Sequence, residues 1–176
     1  LENTLEKNSN IVEINSERYD LSTPGGCFEF AWKVVGGRFP KGEDLISKDP
    51  ILSLEYARCV LKDRFIKGED TIKTDANAAC FYAAEVLNGR WPEVEPTILK
   101  DLDQTINYCV FTINGPWPEA ESIISQSAEH SYEYATDILK GRFLKGEKAI
   151  INSKFLENYK DYLRNSEKYF IQDNNL

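Results

Sequence analysis

Five residue columns recur every 26 positions along this chain, and that period constrains the fold more than any other feature. Glutamate stands at Glu43, Glu69, Glu95, Glu121 and Glu147, and isoleucine at Ile46, Ile72, Ile98, Ile124 and Ile150. An aromatic column runs through Phe30, Tyr56, Tyr82, Tyr108 and Tyr134, each followed by a small residue: Ala31, Ala57, Ala83, Cys109 and Ala135. A second aromatic column runs through Phe39, Phe65, Trp91, Trp117 and Phe143. Self-similarity at a period of a few tens of residues is the signature of stacked repeats. The repeats are 27–52, 53–78, 79–104, 105–130 and 131–156, here repeats one to five.

Each repeat reads as two short helices joined by a turn. Apolar or small residues fall at positions 1, 4, 5, 8 and 9 of a repeat, which is one face of a helix. The small residue at position 5 permits close approach of a neighbouring helix. Gly37, Gly89, Gly115 and Gly141 are expected to end the first helix in the left-handed conformation, with Asp63 in that role in repeat two. Pro40, Pro92 and Pro118 suit the first turn of the second helix, and the repeated glutamate there complements the helix dipole. Asp49, Asp75, Asp101 and Ser127 are capping residues for the following helix, a few residues early. Helices are thus expected near 27–36 and 41–47 and every 26 residues onward, with little or no β-sheet.

Helices this short bury too little to stand alone. Stacking supplies a continuous core, so the expected fold is an all-α solenoid of five helix–turn–helix units with a cap at each end. Residues 1–26 read as an irregular N-terminal cap, and 157–176 as a capping helix with a frayed end, carrying Tyr159, Tyr162, Leu163, Tyr169 and Phe170.

The phrases LKGRFLKGEKAI (139–150), LNGRWPEVEPTI (87–98) and VGGRFPKGEDLI (35–46) resemble a tandem repeat of bacteriophage and large-DNA-virus proteins, built on KGRWPEAE or KGRFPKGE. The resemblance covers about 27–156 and implies a helical array of viral or prophage origin. It carries over no activity and no site residue. Repeat four departs most, with Pro116 where the others have arginine.

Charge narrows the function. The net charge of −8 disfavours direct nucleic-acid binding. Cys27, Cys59, Cys80 and Cys109 lack metal-binding spacing, and His130 is the only histidine, so no metal or other cofactor is expected. The thiols fit a reducing, cytoplasmic setting, the host cytoplasm for a viral protein. No apolar run is long enough to span a membrane, and LENTLEKNSN lacks the pattern of a signal peptide.

Two sets of residues stand out as site candidates. The first is the arginine column Arg38, Arg64, Arg90 and Arg142, either an anion-binding ladder or the partners of the glutamates five residues on. The second lies at solvent-facing positions of the first helix, where Trp32, Phe81, Val110 and Phe111 break a polar pattern. For Trp32 the ordinary reading is packing under the N-terminal segment. Charge singles out the middle of the array: repeats one and two are neutral, three and four each carry −3, and five carries +2. Repeat four has no lysine or arginine. His130 beside Ser131 makes no catalytic triad. The expectation is a non-enzymatic scaffold gripping a protein through repeats three and four, with Phe81, Val110, Phe111, Glu119 and Glu121 at the contact. An acidic nucleic-acid mimic and a nucleotide or small-anion binder are the alternatives.

Overall fold

The computed structural model describes residues 10–173. The chain divides into two compact halves, Leu1–Leu87 and Asn88–Leu176. Helices dominate both. The first half holds α1 (Pro24–Phe30), α2 (Glu43–Ile46), α3 (Pro50–Glu55), α4 (Ile66–Ile72) and α5 (Ala76–Tyr82). The second holds α6 (Glu95–Ile98), α7 (Leu102–Tyr108), α8 (Glu121–Ile124), α9 (Ala128–Glu133), α10 (Glu147–Ile151) and α11 (Leu156–Asp173). No helix among the described residues is long and apolar enough to cross a membrane.

The N-terminal segment is not irregular throughout. Strands β1 (Ile11–Ile14) and β2 (Glu17–Asp20) form an antiparallel hairpin in which Val12 faces Tyr19 and Glu13 faces Arg18. Its turn residues Asn15 (φ 53°) and Ser16 (φ 68°) are both left-handed, the geometry that matches the twist of the strands. Tyr19 is buried and meets the Phe30 ring edge-on at 5.7 Å. The hairpin therefore covers the start of the first repeat.

The first helices begin three residues earlier than the column pattern suggests, because the early capping residues cap directly. Thr23, Asp49, Asp75, Asp101 and Ser127 have extended backbones, and each side chain accepts a hydrogen bond from the N–H three residues on. An aspartate or serine there satisfies one of the otherwise orphaned donors of the first turn.

These helices also end differently from the expectation. Each widens into a π-helical turn: Ala31–Val35, Tyr56–Leu61, Ala83–Leu87, Cys109–Ile113 and Tyr134–Ile138. The left-handed residue is not Gly37, Asp63, Gly89, Gly115 or Gly141 but the one before: Gly36, Lys62, Asn88, Asn114 and Lys140. With the helix widened, the small-residue carbonyl closes the end. Ala31, Ala57 and Cys109 accept from the left-handed residue's N–H. Ala31, Ala57, Cys109 and Ala135 also accept from Gly37, Asp63, Gly115 and Gly141, at 3.0–3.3 Å. The turn shifts positions 8 and 9 away from the core, and Val35 is left exposed.

The turn into the second helix is tight. Pro40 and Pro118 precede the helix rather than open it, in turns closed by N–H groups two and three residues on. The isoleucine column is wholly buried, as are Tyr56, Tyr82, Tyr108, Tyr134 and the small residues beside them. At position 1 the Ser53, Thr105 and Ser131 hydroxyls donate to the Ile46, Ile98 and Ile124 carbonyls at 3.0–3.1 Å, tying each first helix to the helix before it.

Candidate interaction surface

The arginine column is committed to carboxylates. Arg38, Arg64, Arg90 and Arg142 each make two N–H···O bonds, 2.7–3.2 Å long, to Glu43, Glu69, Glu95 and Glu147. A paired fork of this kind suits a guanidinium. The same carboxylates accept from tyrosines 12 or 13 residues downstream: Tyr56 to Glu43, Tyr82 to Glu69, Tyr108 to Glu95 and Tyr159 to Glu147. Each of these hydroxyls in turn accepts the N–H of Phe39, Phe65, Trp91 or Phe143. Arginine, glutamate and tyrosine thus form one latch between a second helix and the first helix that follows. In repeat four, where Pro116 replaces the arginine, Tyr134 still donates to Glu121 and accepts from the Trp117 N–H, while Lys145 at 2.7 Å takes the arginine's place.

The latch makes the fold acid-sensitive. Burial pushes the Glu69 carboxyl up, and the Arg64 and Tyr82 hydrogen bonds outweigh it, so the net shift is downward. The Arg142 hydrogen bond holds Glu147 low despite some burial. A carboxyl depressed in the folded state stabilises the fold above its unfolded pKa, about 4.3. That contribution is lost as the pH falls through the folded value. Thermal melting is expected to be flat from neutrality to mild acid and to fall below about pH 4. Glu69→Gln should melt lower at neutral pH and lose less on acidification. A variant whose acid profile parallels wild type would refute the assignment.

The outward face of the first helices differs between the halves. In the first half its charges are matched. Lys33 lies 3.8 Å from Glu17 and 3.9 Å from Glu29, and Arg58 bridges Glu55 at 2.6 Å and Glu85 at 2.9 Å. Trp32 is not packed under the described part of the N-terminal segment: it is 54% exposed and stacks on Phe28 at 6.0 Å. Phe81 is half-buried.

In the second half the corresponding face is apolar and acidic. Phe111 is 58% exposed and Val110 37%, both on the π turn after α7. A cleft of about 220 Å³ opens beside them, lined by Val110, Asn114, Asp137, Ile138 and Lys140 among others. The chain carries no lysine or arginine between Lys100 and Lys140. Burial, and behind it the charges of Glu129, Asp137 and Asp103, push the Glu133 carboxyl up despite the opposing effect of His130. Glu119 is exposed, and Glu121 is held by Tyr134 and Lys145. Val110, Phe111, Glu119 and Glu121 therefore belong to one half and Phe81 to the other.

His130 joins two acidic helices. Its Nε2 lies 2.9 Å from Asp103, and its Nδ1 lies 2.7 Å from the Ser127 hydroxyl. The chain Asp103–His130–Ser127 has the residue types of a hydrolase triad, but Ser127 Oγ caps α9 and accepts the His130 backbone N–H. None of the four cysteines is in a disulfide, and no cluster of histidine, cysteine or carboxylate among the described residues fits a metal. Trp117 is 1% exposed, and its indole nitrogen has no hydrogen-bond partner, whereas Trp91 donates to Glu93 at 3.0 Å.

Comparison with family models, with curated proteins and with solved structures finds no match to the chain. The reading of its function rests on the molecule alone.

Proposed function

We propose that this chain is a non-enzymatic binding scaffold, a stack of five helix–turn–helix repeats of viral or prophage type that grips a protein in the host cytoplasm. The observation that carries this reading is the exposed pair Val110 and Phe111 within a stretch lacking lysine and arginine. A contact of this make-up puts aromatic anchors at its centre and charge at its rim. The recurring latch supports the stack, because each latch joins one repeat to the next. Repeat four carries the contact, with Glu119 near it. The arginines are already bonded to glutamates, which weighs against an anion-binding ladder.

The test is a pull-down from host lysate with wild type and with Phe111→Asp. The wild type is expected to retain a defined protein that the variant loses, with both proteins equally helical. Retention of the same protein by the variant would exclude this surface.

A further inference from the structure

Resting on that binding reading, we infer that the partner presents an arginine or lysine side chain into the cleft between the first helices of repeats four and five. Its aliphatic stem lies on Val110 and Ile138, and its cationic head meets the Asp137 carboxylate. An apolar residue of the same partner segment covers Phe111.

Three observations converge on this occupant. The cleft is lined by the apolar side chains of Val110 and Ile138 and by the Asp137 carboxylate, the two kinds of surface that a long cationic side chain needs. Among the described residues Asp137 accepts only the hydroxyl of its neighbour Thr136 and forms no ion pair with Lys140, which lines the same cleft. By contrast, the acids of the same face in the first half, Glu29, Glu55 and Glu85, all pair with Lys33 or Arg58. The ion pairs that match this face in the first half thus have no counterpart at Glu133 and Asp137 among the described residues. A basic partner completes the pattern, and an acidic or purely apolar partner leaves Glu133 and Asp137 uncompensated. The raised Glu133 carboxyl is a second sign of that excess of negative charge, after its burial.

A polyanion is repelled by this surface, and a second copy of this chain brings as many acids as it covers. A free cation too small to reach Phe111 leaves the aromatic exposed. An amphipathic basic helix satisfies charge and apolar surface together, as in other helix-in-groove contacts.

The test uses the full chain and two synthetic helical peptides of leucine and alanine, one bearing arginine and the other glutamate at the same positions. Fluorescence anisotropy at low and moderate salt gives the affinities, and chemical-shift mapping gives the location. The arginine peptide is expected to bind at least about 10-fold tighter than the glutamate peptide, with affinity falling as salt rises. Asp137→Asn should weaken it about 3- to 5-fold, and Phe111→Ala about 10-fold or more. Shifts should concentrate at Val110, Phe111 and Ile138. Equal affinity for the two peptides, shifts confined to the first half, or unchanged binding by both variants would overturn the inference. So would a dimer of the chain that Phe111→Asp dissociates, which identifies a second copy as the occupant. The two readings fail separately. A lysate protein lost by Phe111→Asp, with no preference for the arginine peptide, keeps the binding surface and discards the cationic occupant.

Discussion

Tyr82→Phe is expected to lower stability by about 2–3 kcal/mol, despite deleting one oxygen from a residue of unchanged shape. Tyr82 is wholly buried, and its hydroxyl accepts the Phe65 N–H at 2.9 Å and donates to Glu69 at 2.9 Å. Its removal leaves a buried backbone donor without a partner, and that desolvation cost dominates the loss. Glu69 keeps both bonds to Arg64, so the carboxylate itself is not stranded. Urea unfolding of wild type and variant gives the difference directly. A loss below about 0.5 kcal/mol would mean that the latch is incidental to packing.

Gly68→Ala should cost a comparable amount for a steric reason. A Cβ at Gly68 would lie 2.5 Å from the Phe65 ring and 2.7 Å from the Ser53 Cβ. Ser53 cannot retreat without breaking its bond to the Ile46 carbonyl, and the Phe65 ring is packed against Tyr56 at 4.9 Å. Overpacking of this kind costs about 1–3 kcal/mol. The ordinary gain from replacing glycine with alanine in a helix, up to about 1 kcal/mol, is too small to offset it. Gly89→Ala is the control, because a Cβ there meets nothing within 4 Å. Equal melting temperatures for the two variants would show that the close approach at Gly68 is soft.

The helical periodicity was legible because buried columns repeat in register. Ile46, Ile72 and Ile98 announce a core face without any need for the structure. The arginine–glutamate pairing was also visible, since the residues lie five apart in four of the five repeats. The tyrosine latch was not read, because its partners lie 13 and 17 residues away in the preceding repeat. The sequence does hold a signal for it. Tyrosine stands 13 residues after the column glutamate at Tyr56, Tyr82, Tyr108 and Tyr134, and Tyr159 stands 12 after Glu147.

The π turns escaped because they follow from backbone bonding, and Lys62 and Lys140 are unusual side chains for a left-handed site. The hairpin was missed because its second strand, ERYD, offers Tyr19 as its one apolar residue and its turn pair Asn15 and Ser16 lacks the glycine of the strongest turn signal. At the candidate surface, the exposure of Val110 and Phe111 could be anticipated from their break in the polar pattern. The role of Asp137 could not, because the cleft exists only once two helices pack.

The latch also gives the chain a direction in time. Every latch tyrosine reaches back toward the N-terminus, so the latch of a second helix closes only with the first helix of the next repeat. As the chain leaves the ribosome, each repeat stays open at its C-terminal side until about half of its successor has emerged. The fifth has no successor, and Tyr159 of α11 performs the closing bond instead. Whole repeats can thus be gained or lost in evolution without redesign of the ends, provided that the final helix keeps its tyrosine.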